Sequence, residues 1–210
     1  QNKKLTKVHY ILYMIQVLIL IAPFLLLAST LVPARANFTN VTAGGGPTYW
    51  TPTADGPSAR SDHATSSLGN EKILMYAGLD ANHNYLNDAF IFALSTNEDT
   101  GEETGTWTKI QDGPSARGGH AMSLLGNGKI LLYGGCNNVY CTSVLNDAYI
   151  FALSTNEKTG EETGTWTKTA NGPSVRYRHA MSLLGNGKVL MYGGSADNNN
   201  PLNDAYIFEE

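Results

Sequence analysis

Charge is scarce in this chain. Asp, Glu, Lys and Arg make up only 15% of its 210 residues, and the formal net charge is -4. Without a Lys/Arg surplus it is poorly equipped to neutralise phosphates, which argues against nucleic acid as a partner. Cysteine is scarcer still. Two cysteines cannot build a disulfide scaffold, and no Cys/His cluster has zinc-site spacing. Phosphate-binding glycine loops and nucleophile elbows are also missing. What is plentiful is glycine, at 22 residues, together with 10% aromatics, a mix suited to turn-rich β structure.

The sparse charge is also uneven. Positions 1–36 contain no acid and four basic residues, Lys3, Lys4, Lys7 and Arg35, so the remainder carries 10 basic and 18 acidic residues. An apolar run from Tyr10 to Val32 follows the lysines, and Ala34-Arg35-Ala36 follows the run. A basic segment, an apolar segment and an A-x-A site together read as a secretory signal peptide over 1–36. The run, at about 20 residues, is also long enough for a retained membrane anchor. Either reading puts the rest of the chain outside the cytoplasm, secreted or at the cell surface. Asn37-Phe38-Thr39 and Asn40-Val41-Thr42, in the Gly/Thr-rich linker 37–48, are acceptor sequons for N-glycosylation in a eukaryotic source.

Beyond the linker the chain repeats itself. Residues 86–135 and 145–194 are identical at 40 of 50 positions, and a more divergent copy precedes them. The repeat region spans 49–210, divided at about 49–109, 110–168 and 169–210. Each unit holds four short strand-like runs, which in the second copy are 120–125, 129–133, 148–153 and 165–168. The two middle runs are continuously apolar, as in strands buried on both faces. Sheets stacked on neighbouring sheets provide that environment, as in the blades of a β-propeller.

The order of features in each unit resembles the kelch motif. Arg117 and His120 begin it, Gly134-Gly135 close an apolar strand, Asn146-Asp147-Ala148-Tyr149 follow, and Trp166 ends it. The other copies supply Arg60, His63, Asp88 and Trp107, and Arg176, His179, Gly193, Gly194 and Asp204. The first copy departs from the pattern, with Ala77-Gly78 for the glycine pair. The resemblance, over about 49–210, implies an all-β fold of three four-stranded propeller blades, a partial propeller; the apolar run ahead of it is expected to form an N-terminal hydrophobic helix. Because Arg, His and Asp recur in every unit, they are expected to be structural. Each Arg and His should hydrogen-bond loop carbonyls or the repeat aspartates, locking blades together. The tryptophans should pack in the core or between blades.

Other residues depart from the repeat. Cys136 and Cys141 are confined to the second copy, and in an exported protein they should form a local disulfide. Asp80, Asn82, His83 and Asn84, and likewise Asp197, Asn198 and Asn199, alternate oxygen donors as calcium loops do. Both lack the glycine and bidentate glutamate of an EF-hand, and Asn and Asp are ordinary turn formers, so no cofactor is expected. The paired glutamates Glu102-Glu103 and Glu161-Glu162 sit in polar hairpins and are expected to be solvated rather than catalytic.

Antiparallel strands put the connections between blades on the same face as the loops after the glycine pairs. Those loops, 80–85, 136–144 and 195–201, differ among copies, whereas the opposite hairpins hardly change. Recognition is expected where a repeated scaffold diverges. Candidate ligand-binding residues are Asp80, Asn82, His83, Asn84, Tyr85, Asn137, Asn138, Tyr140, Asp197, Asn198 and Asn199. The expected function is a non-enzymatic module binding an extracellular protein or glycan. One alternative is an extracellular enzyme resembling galactose oxidase, whose copper site needs tyrosines, histidines and a Cys–Tyr crosslink. Here the histidines belong to the repeat and Cys141 has a partner in Cys136. The other alternative is a surface-structural assembly protein.

Three blades are fewer than the four to eight of a closed ring. Two expectations follow: further repeats beyond Glu210, or a head-to-tail homodimer closing six blades. In the second, each chain would donate Tyr49-Trp50-Thr51 as an outer strand to its partner's last blade.

Overall fold

The computed structural model describes residues 50–197 and 200–210. The leader, both sequons, Asn198 and Asn199 therefore lie outside the described residues. Of the expected outer strand, Tyr49 also lies outside, and Trp50 and Thr51 belong to no strand.

The repeat region folds into three antiparallel sheets. The first contains β1 (Arg60–Ser61), β2 (Ala64–Gly69), β3 (Lys72–Asp80), β4 (Tyr85–Thr96) and β5 (Glu103–Ile110). The second contains β6 (Ala121–Leu124), β7 (Ile130–Tyr133), β8 (Ala148–Thr155) and β9 (Glu162–Lys168). The third has three strands, β10 (Ala180–Leu183), β11 (Val189–Tyr192) and β12 (Ala205–Phe208). The first sheet gains its fifth strand because Arg60 and Ser61 pair with Asp80 and Leu79 at the end of β3. The same contact recurs as single bridges, Gly118 with Cys136 and Tyr177 with Ser195.

Local chemistry sets these hairpins. Between β6 and β7, Gly128 adopts a φ of +82° and its N–H donates to the Leu125 carbonyl. Asn127 Oδ1 accepts from the Lys129 N–H, completing the reversal. The hairpins before β5 and β9 are alike for the same reason: Asn97 and Asn156 each accept two backbone N–H groups with their side-chain oxygens. The backbone is left-handed at the first position of each glycine pair, with φ +65° at Gly134 and +67° at Gly193. Ala77 holds +58° there despite its Cβ, and the register between β3 and β4 shifts at this point.

Packing explains the continuous apolar runs. Ile130, Leu131, Leu132 and Tyr133 in β7 are all buried because sheets cover both faces. One core lies between the first two sheets, with Leu74, Tyr76, Ile91, Met122, Ile130, Leu132 and Phe151 at its centre. A second, around Leu131, Tyr133, Ile150, Val189 and Met191, joins the last two. In β11 the equivalent run alternates instead: Val189 and Met191 are buried, while Tyr192 is 55% exposed. Strands β2, β6 and β10 stand side by side, one from each sheet.

Candidate functional site

The arginine that opens each repeat spans two sheets. The Arg117 N–H donates to the Leu86 carbonyl, and its carbonyl accepts from the Gly78 N–H, both in the first blade. Its side chain turns into the second blade. There Nη1 donates to the Gly134 carbonyl and Asp147 Oδ1, and Nη2 to Asp147 Oδ2 and Ser115 Oγ. Arg176 makes the same set with Leu145, Gly135, Gly193, Asp204 and Ser174. Arg60 makes the side-chain half with Ala77, Asp88 and Ser58. A bidentate carboxylate and a carbonyl compensate the buried charge. These side chains are therefore committed to holding the loops rather than to a ligand.

The histidines are held differently from the arginines. His120 and His179 are buried; the His179 ring makes no hydrogen bond, and the His120 ring faces the Tyr76 main chain. Their rings stand edge-on to Tyr76 and Tyr133, at 5.2 Å in both cases. Burial, reinforced by the neighbouring arginine, lowers His120 to about 3 and His179 to about 4, so both stay neutral. At His179 the aromatic contact stands where a polar partner was expected. Trp166 packs at 4.9 Å against Phe151 of its own blade and 4.9 Å against Tyr76 of the preceding one, while Trp107 packs on Phe92.

On the loop face, one residue before each histidine, the backbone is left-handed: Asp62, Gly119 and Arg178 have φ of 52°, 64° and 54°. These three positions are hydrogen-bonded in series, Gly119 N–H to the Asp62 carbonyl and Arg178 N–H to the Gly119 carbonyl. Gly119 has no side chain to intervene, and Arg178 Nη2 lies 3.5 Å from Asp62 Oδ2. The guanidinium also lies over the Tyr177 ring, 5.7 Å from its centroid.

Beside this chain lies a recess of about 370 Å³, whose walls include Asp62, His83, Tyr85, Tyr140, Tyr177 and Arg178. The Cys136–Cys141 disulfide shapes one wall, bringing the two Cα atoms to 5.1 Å within the 136–144 loop. Tyr85 anchors that loop, donating its hydroxyl to the Asn138 carbonyl at 2.8 Å, and partial burial raises its pKa. Tyr140 is 79% exposed on a left-handed backbone, φ 69°.

Of the residues singled out from sequence, the recess gathers His83, Tyr85, Tyr140 and Cys141. It does not gather Asp80, Asn82, Asn84, Asn137, Asn138 or Asp197. Asp80 turns its carboxylate onto its own loop, accepting from the Asn82 N–H and from the Asn84 N–H and amide. The Asn84 bonds are the main cause of its lowered pKa. Asn138 is likewise a turn former, bonding Ser143 and Thr142. Among the described residues, no three His, Cys, Asp or Glu side chains come together as a metal site. Sequence reasoning missed Asp62, Tyr177 and Arg178. Their signal was present, since the two positions before the repeat histidine read Ser-Asp, Gly-Gly and Tyr-Arg in an otherwise uniform segment.

Among solved structures, that of YjhT is similar with a TM-score of 0.57 at 14% identity, over 75% of this chain and 45% of that one. A copper-bound fungal alcohol oxidase of the AA5 family gives 0.53 at 18% identity, over 70% and 31%. At these identities both show the fold alone. Among curated sequences, Adagio protein 3 of Arabidopsis thaliana is 28% identical over 67% of the chain and 21% of its own length. An F-box/kelch-repeat protein of the same plant is 25% identical over 73% and 32%. The chain thus spans between about a fifth and a third of the length of these relatives. The model of the KLHDC2/KLHL20/DRC7 Kelch-repeats domain matches residues 48–209, most of the sequence, and the chain belongs to the kelch-repeat family.

Proposed function

We propose that this chain is an exported kelch-repeat binding module that holds a protein partner on its loop face, at the recess bordered by Tyr85, Tyr140, Tyr177 and Arg178. The observation that carries this reading is the convergence of divergent loops, the exposed Tyr140 and Arg178 and the half-buried Tyr85 on one recess above a scaffold of repeated braces. Tyrosine and arginine are the side chains that dominate protein interfaces, because they bring large contact area and directional bonds with few rotors to freeze. The side chains of Asp62 and Arg178 are 36% and 65% exposed, so both signs of charge are within reach of a partner. The exported location rests on the leader sequence. The copper-oxidase alternative finds no support in the donors: His120 and His179 are packed against tyrosines and Cys141 is in a disulfide.

Affinity capture with the full-length chain from the extracellular fraction of its source tests the reading, with a glycan array in parallel. We expect a discrete protein partner whose capture falls at least about tenfold in Arg178→Glu and in Tyr140→Ala, the loss typical of an interface hot spot. Binding on the glycan array alone would replace the protein partner with a sugar. Capture unaffected by either substitution would move the site elsewhere.

A further inference from the structure

The three loops that follow the glycine pairs are closed in different ways. Loops 80–85 and 195–201 contain no cysteine and are closed by hydrogen bonds. The Asp80 carboxylate holds the first, and Ser195 Oγ and the Ala196 N–H hold the other by donating to the Asn200 carbonyl. Loop 136–144 is closed by the Cys136–Cys141 disulfide, and the two ends of that bond differ. Cys136 belongs to the scaffold: it is 2% exposed and exchanges backbone hydrogen bonds with Gly118. Cys141 is half-buried and ends the short turn Val139–Cys141, where Tyr140 and Cys141 are both left-handed, with φ of 69° and 48°. Neither is a glycine, so each conformation is unfavourable alone and persists only where its surroundings impose it.

The hydrogen bonds around this turn are few. The Asn138 carbonyl accepts from the Cys141 N–H and the Tyr85 hydroxyl, and the Asn138 side chain bonds Thr142 and Ser143. The remaining tie is the disulfide itself. Four residues lie between the cysteines, and the constraint a disulfide places on a whole chain grows with the size of the ring it closes. This one therefore acts on the turn more than on the fold. The turn carries Tyr140, the most exposed of the three tyrosines at the recess.

We propose that the Cys136–Cys141 bond is a reversible switch on the loop face: oxidised, it holds Tyr140 at the recess, and reduced by a thioredoxin-type dithiol, it releases the turn and withdraws that contact. The consequence for binding rests on the loop-face reading above. A thiolate of the reductant attacks Cys141 Sγ, the more accessible sulfur, and the S–S bond breaks with Cys136 leaving as a thiolate. The Tyr85 hydroxyl lies 3.5 Å from Cys136 Sγ, placed to donate to that thiolate. The second thiol of the reductant then attacks the mixed disulfide and expels Cys141. Two electrons and two protons pass to the chain, which ends with two thiols, while the reductant ends as the disulfide.

The test is chymotrypsin cleavage of the full-length chain, which needs no partner. A protease takes the residues before the cut in an extended conformation, which the left-handed Tyr140 of the oxidised loop does not offer. After reduction by thioredoxin and its reductase, cleavage between Tyr140 and Cys141 should be at least about tenfold faster, since cutting follows the population of the open loop. Digests are quenched and then fully reduced before mass spectrometry, so that a cut inside the ring is seen in both states. Cys136→Ser/Cys141→Ser should be cut at the reduced rate, and oxidised glutathione should restore the slow rate in reduced wild type. The β-sheet circular dichroism should be the same in every form. Equal cleavage of the oxidised and reduced chains would overturn the switch. So would loss of the sheet signal on reduction, which would make the bond a staple of the fold. Capture of the protein partner should fall on reduction as it does in Tyr140→Ala, and capture that depends on Tyr140 but not on the bond would overturn the switch as well. Capture indifferent to Tyr140 would instead count against the loop-face reading, with the protease result still deciding the switch.

Discussion

His120 and His179 confer an acid sensitivity. Their folded-state pKa values, about 3 and about 4, lie below the 6.5 of an unperturbed histidine. The unfolded chain therefore takes up protons that the folded chain refuses. Their contribution is present in full above about pH 6.5 and is lost as pH falls towards 4 and then 3. Between pH 6.5 and 5 each should cost about 2 kcal/mol of stability, at about 1.4 kcal/mol per unit of pH. Urea unfolding at the two pH values checks this. The loss should be about halved in His120→Phe, which keeps a ring against Tyr76 without the titrating nitrogens. An equal loss in that variant would assign the acid sensitivity to other groups. Nothing in the sequence distinguishes a histidine that bonds a carbonyl from one that stands edge-on to a tyrosine. The two are separated only when the first and second sheets are stacked.

At the scale of the strand, the same letters meet different surroundings. Leu131 in β7 and Leu190 in β11 are equivalent, but Leu131 is 3% exposed in the second core while Leu190 is half-buried. In unassociated chains Leu131→Ala should therefore cost about 2–5 kcal/mol, through lost transfer and an uncollapsed cavity. Leu190→Ala should cost well under half as much, and equal midpoint shifts in urea would refute the difference. The strands themselves were legible, because apolar runs bounded by Gly-Asn-Gly turns leave few options, and the run expected at 129–133 is β7, Ile130–Tyr133. The fifth strand of the first sheet was not, because two residues pairing with the end of β3 leave no periodic trace. Nor was the recess. Asp62 and Arg178 lie 116 positions apart and are brought within 3.5 Å only by the stacking of three sheets across Gly119.

At the scale of the molecule, self-similarity made the architecture readable before any side chain was placed, since a unit written three times must stack on itself. The stacking also gave the scaffold its braces. Each of Arg117 and Arg176 has its main chain tied to one blade and its guanidinium bound in the next. The consequence is cooperativity. In a simple repeat array the terminal units fray independently, each opening with its own free energy. Here the third blade cannot peel away without pulling the Arg176 side chain from Asp204, or its main chain from Leu145 and Gly135, which would leave a buried charge or buried carbonyls bare. Native-state hydrogen exchange should show the N–H groups of Gly135 and Arg176 opening in the same event as those of β7. Exchange of the third blade well before the second would mean that the arginines do not couple their neighbours.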